Sequence, residues 1–585
     1  MKGIFLLDAW RQAAAIGGMS TAGKWITMKT QLIRRLIAAL VIVCSGLASA
    51  QIPFRIQDLY DPGLAPFYHG VASGDPVSDG FIIWTRVTPK PTGNLALQRK
   101  VMVKWVVATD TDLSQVVASG NEFASAERDF TVKVDVRGLA AGQTYYYGFE
   151  ALGRASITGK AKTAPNGSVD QLKFAVISCA NYEWGYFSGY EQISRRTDLD
   201  AVIAVGDYIY EYADNDTYSS PEIRDQRVHF PRNETVTLKH YRTRYANYRL
   251  DPNLRRAHQQ HPFISIWDDH EFANNAWRGG AENHNPRKEG SWKRRKAAAI
   301  RAFLEWMPIR EQGTSIYRTL NYGPLMDLIL IDTRIEGRDI QVEDVNDPLL
   351  YAPNRTMLGA TQKEWLKTEM TDSAATWKII GNQVIFSEFN IGFTAPLDPF
   401  VTSDFLESQF LDIWDGYPVE RKELVDFIAA EQVDNVVFLT GDIHCSFAFE
   451  VADPVLGNTN YDPATGAGAV AVEFVTPSLS AANFDEEIGE FFTAQIEDVI
   501  NKPFPPSNIN FNRHMKYADL DQHGYLVLSL NSATAQADYY YLADVLVPVT
   551  TESWGGGFTV AAGSTHLVPA GAPAPPTAVQ DVPAP

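Results

Sequence analysis

Along residues 67–165 apolar and polar side chains alternate in short runs. Phe81 to Arg86, Val101 to Ala108 and, most cleanly, Thr131 to Val136 carry the period of two that half-buried strands need, with turn residues between them. The stretch GLAAGQTYYYGFEA, Gly138 to Ala151, sets Tyr145, Tyr146 and Tyr147 just after a Gly-Gln-Thr turn, the pattern of a tyrosine corner in a fibronectin type III or immunoglobulin-like sandwich. A polar, turn-rich linker, Thr163 to Asp170, closes this region. From Leu172 to about Pro548 the pattern changes to continuous apolar runs alternating with amphipathic segments such as Trp292 to Trp306, Thr361 to Thr371 and Val419 to Glu431. Strand-helix alternation of this kind predicts a mostly parallel or mixed sheet covered on its faces by helices, an α/β domain. Phe484 to Asn501 is acidic and amphipathic, and reads as a surface helix or as a lid over a pocket. The Pro- and Ala-rich chain from Pro569 is expected to be disordered.

The expected organisation is therefore an upstream and signal segment at 1–50, an N-terminal β-sandwich at 51–165, a catalytic α/β domain at 171–548 and a tail at 549–585. At 585 residues the chain is long enough for two domains and a substantial core. Within the first segment, Met28-Lys29, Arg34-Arg35, the apolar run Leu36 to Val43 and the small-residue end Leu47 to Ala50 read as a secretory signal cleaved near Ala50. Its apolar part is too short for a membrane span, and the residues before Met28 read as upstream of the natural start. Arg34-Arg35 leaves twin-arginine export open beside the general route. The expected location is the periplasm or the outside.

The whole chain has a formal charge of −19, and residues 51–585 carry 45 Lys and Arg against 69 Asp and Glu, or −24. Such a balance argues against a nucleic-acid duplex or an anionic membrane surface as partner. An acidic enzyme with an anionic substrate needs local positive charge, most simply from bound metal. Beyond Cys44 only Cys179 and Cys445 remain. They read either as one disulfide or, as favoured here, with Cys179 a metal ligand and Cys445 a small packing residue.

The candidate chemistry sits where apolar runs stop. Ala201 to Val205 ends in Gly206-Asp207, with Tyr210 three residues on; Phe263 to Trp267 ends in Asp268, Asp269, His270 and Glu271; Val436 to Thr440 ends in Gly441, Asp442 and His444; Phe174 to Ile177 ends in Ser178-Cys179. Buried strands that stop in this way place their ligands at the carboxyl edge of a sheet, where open α/β folds keep their sites. Carboxylates suit hard cations, while His and Cys suit a transition metal. A tyrosine ligand is the unusual member, because a phenol titrates near about 10 and needs a strongly Lewis-acidic ion such as ferric iron to ionise at neutral pH. The mixture points to at least two metals of different hardness, a known solution for in-line attack at phosphorus by a metal-bound hydroxide. His270 is the candidate to bind the phosphoryl group or protonate the leaving oxygen. Arg334 and Arg338 are candidate substrate contacts, although Asp332 and Glu336 beside them favour structural ion pairs. Asp485 to Glu487 read as a solvated face, and neither His69 nor His229 has a visible partner.

Six motifs in this order, SCANY (Cys179), GDYIYEY (Asp207, Tyr210), WDDHEFANN (Asp269, His270), LIDTR (Arg334), GNQVIFS (Gln383) and LTGDIH (Asp442, His444), resemble the alkaline phosphatase D (PhoD-like) family. The N-terminal FYHGVASGDPVSDGFIIWTRVTP is similar to that family's β-domain, so the resemblance spans roughly residues 60–545. It implies a calcineurin-like metallophosphoesterase fold, two sheets in a sandwich with helices outside. It implies Fe³⁺ with Ca²⁺, and hydrolysis of phosphomonoesters and often phosphodiesters for phosphate acquisition. Carried over by motif, Asp207 bridges the metals, Cys179 and Tyr210 hold iron, and Asp269, Asp442 and His444 complete the cluster. Asp268 competes with Asp269 for that place, and Asn274 or Asn275 is a further oxygen donor. A phospholipase D-like phosphodiesterase and a non-catalytic binding module are the alternatives.

Overall fold

The computed structural model describes residues 55–90, 99–398 and 400–585; the expected signal segment lies outside the described residues. A ten-stranded sheet runs in spatial order Val568–Pro569, Glu552–Ala561, Thr534–Leu542, Gly524–Leu530, Leu172–Ile177, Ala201–Ala204, Pro262–Ser265, Val71–Val77, Gly80–Arg86 and Thr131–Arg137. A seven-stranded sheet runs Arg318–Tyr322, Met326–Leu330, Trp377–Gly381, Val436–Thr440, Ala471–Val475, Ser446–Val451 and Met515–Asp519. Side-chain alternation decides what the second sheet buries on each face. Leu328, Leu330, Ile379, Val437, Leu439, Val472 and Phe474 join one core with Phe174, Val202 and Leu528 of the first sheet. Ile329, Ile380, Phe438 and Val475 face the other way, onto Leu366, Met370, Leu424 and Ile428 of the helices Gly359–Asp372 and Pro418–Ala430. The result is the expected two-sheet sandwich with helices outside.

The N-terminal β region is present, but it is not closed on itself. Its strands Val71–Val77, Gly80–Arg86 and Thr131–Arg137 extend the large sheet, with Ser73 opposite Pro262 and Gly74 opposite Phe263 in a parallel pair. Their other face packs Phe81, Ile83 and Val136 against Val103, Tyr147 and Phe149 of a small sheet built on Val101–Ala108 and Thr144–Ala151. The tyrosine corner forms, with the Ala140 main-chain N–H donating to the Tyr145 hydroxyl at 3.0 Å.

Two expectations need correction. The tail is not disordered: Glu552–Ala561 is a strand of the large sheet. Beyond it, Lys173 Nζ donates to the Pro575 carbonyl at 2.7 Å, Thr144 Oγ1 to Asp581 at 2.6 Å, the Tyr146 hydroxyl to the Val582 carbonyl at 2.7 Å and Gln260 Nε2 to the Ala584 carbonyl at 2.9 Å. Paired main-chain groups hold a segment that has little apolar surface of its own. The acidic stretch is likewise no single helix with a solvated face. Gly489, at φ 92°, splits it into Phe484–Ile488 and Glu490–Val499, and Glu486 bonds Trp184 Nε1 at 3.1 Å. Among the described residues no helix is long and apolar enough to cross a membrane.

Candidate metal centre

Leu172–Ile177, Ala201–Ala204 and Pro262–Ser265 are mutually parallel, so their carboxyl ends share one edge of the first sheet. A bridge between Ser178 and Ser478 brings the second sheet's strand ends against that edge. The two Gly-Asp turns are shaped by this crowding. At Gly206, φ is +126°, and a Cβ there would lie 2.3 Å from the Asp268 Cβ; at Gly441 it would lie 2.2 Å from Ser178 Oγ. Four candidate ligands, Cys179, Asp207, Asp442 and His444, take positive φ values of 53–68°. Such backbone is costly for residues with side chains, and clusters where a fold fixes a site.

Ligand atoms of Cys179, Asp207 and His444 lie within 4.8 Å of one another, as do those of Asp207, Asp269 and His270, and those of Asp268, Asp269 and Asp442. The Tyr210 hydroxyl stands 3.2 Å from both Asp207 Oδ2 and His444 Nε2. The six candidate ligands are thus brought together, Cys179, Tyr210, His444 and Asp269 around Asp207, and Asp442 joined to them through Asp269. His270 lies beside them, its ring stacked on Tyr210 at 4.2 Å and its Nδ1 2.7 Å from Glu211 Oε2. His444 Nδ1 is turned to the Ala482 carbonyl. His69 and His229 lie elsewhere, against Trp306 and Tyr248.

The arginines differ from each other. Arg334 reaches the cluster but is fully buried, donating to Asp268 and, at 2.6 Å, to Asp442. Its Nη1 has no hydrogen-bond partner among the described residues and lies 4.0 Å from Asp412 Oδ2. Arg338 does not reach the cluster: it is fully buried and donates to the Asp412 carbonyl at 2.6 Å and the Thr333 carbonyl at 3.3 Å, so the expectation that it grips a substrate is withdrawn. Cys179 and Cys445 are both free, and Cys445 packs in the outer core. Asp268 is held by Arg334, whereas Asp269 Oδ1 is buried without a hydrogen-bond partner among the described residues, 3.7 Å from Arg334 Nη2, and Asn275 Oδ1 likewise lacks one.

Sequence reasoning missed two carboxylates. Glu271 accepts from the main-chain N–H of Asp207 at 3.1 Å, of Tyr208 at 2.6 Å and of Asp268 at 2.7 Å, tying two strand ends together. Glu211 holds His270 as above. Both stand inside these motifs, but apart from Asp268 their partners named here lie some 60 residues distant and leave no local signal.

The donors fit a group of cations. Four buried Asp carboxylates, at 207, 268, 269 and 442, face one guanidinium, Arg334, and buried charge in surplus is expensive. Burial, with Asp269 and Asp442 nearby, pushes Asp207 up to about 7. Burial also holds the Cys179 thiol and Tyr210 phenol well above their ordinary values, so an added cation is what would ionise them. It drives His444 down to about 3, keeping the imidazole in its neutral, coordinating form. Burial opposes the charge on His270, yet Asp269, Asp207 and Glu211 carry it up to about 10.

The PhoD-like phosphatase model matches residues 174–539, and the model of that family's N-terminal domain matches residues 57–165. This chain belongs to the PhoD-like phosphatase family. Alkaline phosphatase D of Bacillus subtilis (strain 168) is 34% identical over 518 residues, 86% of this chain and 82% of that relative. A solved structure of PhoD superposes with a TM-score of 0.74 at 31% identity, covering 88% of this chain and 94% of the other. As a PhoD-like phosphatase the chain is a phosphoric ester hydrolase with a metal cofactor. The resemblance expected from the six motifs is borne out, and so is the fold.

Proposed function

We propose that this chain is an exported alkaline phosphatase and phosphodiesterase that releases phosphate from small esters for uptake. In this reading Cys179, Tyr210 and His444 would hold Fe³⁺, Asp269 and Asp442 would hold Ca²⁺, and Asp207 would serve both. One observation carries it: buried strand ends place soft and hard donors, with carboxylates in surplus, around Asp207. Bound cations would neutralise phosphoryl oxygens and acidify water. The chain's own residues supply the rest. His270, charged through its carboxylate neighbours, binds the phosphoryl group and gives a proton to the leaving oxygen. Arg334, by neutralising Asp268 and Asp442, limits the negative field that an anionic ester meets.

The test is metal analysis of the purified chain with a visible spectrum, alongside hydrolysis of a chromogenic phosphomonoester and diester before and after chelation. Bound iron with a tyrosinate charge-transfer band, calcium, and activity lost on chelation are expected. A colourless protein, unaffected by chelator, would overturn the assignment.

A further inference from the structure

We propose that Glu211 is a positioning residue for hydrolysis: its bond to Nδ1 fixes the tautomer and orientation of His270, so that Nε2 presents the proton to the leaving oxygen. The inference rests on the reading of His270 as proton donor and adds the residue through which that donor is set. Its basis is geometric. Glu211 is fully buried, and its Oε2 lies 2.7 Å from His270 Nδ1. Oε1 is taken by the Asn274 main-chain N–H at 2.7 Å and by Asn283 Nδ2 at 2.9 Å, so the carboxylate is locked against rotation. A carboxylate in that position requires hydrogen on Nδ1. It leaves Nε2 as the ring nitrogen available for exchange.

The imidazole is fixed on its other sides as well. Tyr210 stacks on it at 4.2 Å, Tyr212 approaches to 5.4 Å, and its main-chain N–H points to Asp207 Oδ1 at 3.3 Å. One short loop, Gly206 to Glu211, therefore carries the central carboxylate, the stacking ring and the orienting carboxylate together. As the P–O bond to the leaving group breaks, the departing oxygen takes the Nε2 proton and becomes an alcohol, leaving neutral imidazole. The water that forms the new P–O bond loses a proton, which restores the imidazolium.

A proton donor matters most for a poor leaving group, and this separates positioning from bulk structure. Full-length Glu211→Gln, His270→Ala and the double variant would be assayed on phenyl phosphate, whose phenol has a pKa of about 10 by analogy with tyrosine, and on 2,4-dinitrophenyl phosphate, whose leaving group needs no proton. Glu211→Gln is expected to lower kcat on phenyl phosphate about 10²-fold, the usual reach of general acid catalysis, with a loss at least tenfold smaller on the dinitrophenyl ester. Metal content should match the parent; the unfolding midpoint should fall, because the buried His270 loses its anion, and the assays are run below that transition. In the His270→Ala background it should add no further loss, because the two act as one unit. Equal losses on both esters, or additive losses in the double variant, would overturn the inference. If Glu211→Gln does not fold, Glu211→Asp carries the test: an intermediate, leaving-group-dependent loss supports the role, and a uniform loss refutes it. A leaving-group-dependent loss in His270→Ala alone removes only the role of Glu211. A uniform loss in His270→Ala removes the proton-donor reading and this inference with it.

Discussion

Two regions of this molecule take charged side chains out of water, and they do it in opposite ways. At the strand tips, Asp207, Asp268, Asp269 and Asp442 crowd one arginine, and an oxygen of Asp269 has no hydrogen-bond partner among the described residues. Where the tail crosses the back of the sheet, cations and anions match one for one: Lys160 with Asp581, Lys162 with Asp200, Lys173 with Asp198. Matched charge asks for nothing more and is architecture; surplus charge of one sign asks for a counter-ion and is a site. Burial alone does not separate the two, since Lys160 and Asp207 are about equally hidden. The sign of the remainder does.

The contrast breaks first at its centre. Asp207→Asn should lower kcat/KM on the order of 10³-fold, the cost of losing a principal electrostatic element of an active site, and should strip bound metal, as read by metal analysis. The same change in the seam, Asp581→Asn, should leave kcat within about twofold, because it lies outside the cluster. A purified Asp207→Asn variant that keeps its metal and most of its activity would show that the surplus is not a ligand set. Removing residues 570–585 is the converse. It leaves Lys160 buried without its anion and should cost about 3–5 kcal/mol, the usual penalty for breaking a buried pair, in denaturant unfolding, with activity retained below the melting transition. Unchanged stability would mean that the tail merely rests on the surface.

The pH dependence of the metal-free chain sharpens the same distinction. Burial raises Asp207 to about 7 and Glu271 to about 8, and the carboxylates around His270 outweigh its burial and carry it to about 10. In each case the folded state keeps a proton that the unfolded chain has released. Asp207 and Glu271 therefore lose stability as pH rises from about 4 towards 7 and 8, and His270 loses it from about 6.5 towards 10. The unfolding midpoint of chelated protein should fall steadily between pH 5 and 9. Metal-loaded protein should follow a flatter line, since cations stand where protons stood. Parallel curves would place the metals elsewhere.

The strand-tip cluster was largely legible in the sequence because each piece is local. An apolar run followed by Gly-Asp, and a three-residue step from Asp207 to Tyr210, can be read without knowing the fold. Only the convergence needed tertiary structure. Arg334 and Arg338 look alike in sequence, yet one meets carboxylates and the other main-chain carbonyls, a difference set by strands far away. The tail failed for a related reason. Its Pro- and Ala-rich composition and the Gly555 to Gly557 run lack strand periodicity, and the side chains that hold it, Lys173, Tyr146 and Gln260, stand more than 300 residues earlier. The N-terminal strands were readable from alternation, but alternation says nothing about the neighbour, here Pro262–Ser265.

The smallest effect tests the distinction most narrowly. Replacing both members of a matched buried pair by apolar groups of similar size is often neutral, because desolvation cost and Coulomb gain disappear together. Lys160→Met with Asp581→Leu should therefore change unfolding free energy by no more than about 1 kcal/mol, with kcat/KM and metal content unaltered. Arg334→Met with Asp268→Leu is the same exchange inside the cluster, and its stability change should be equally modest. Its consequence should differ, because Arg334 also faces Asp269 at 3.7 Å and Asp442 at 2.6 Å. Asp269 and Asp442 would lose that guanidinium while the net charge of the cluster stays the same, one cation and one carboxylate having gone together, so both carboxylates are freed and calcium should bind more tightly, seen as resistance to chelation. Unaltered metal retention in that double variant would mean that Arg334 belongs to the architecture, and the line between the two regions would have to be redrawn around it.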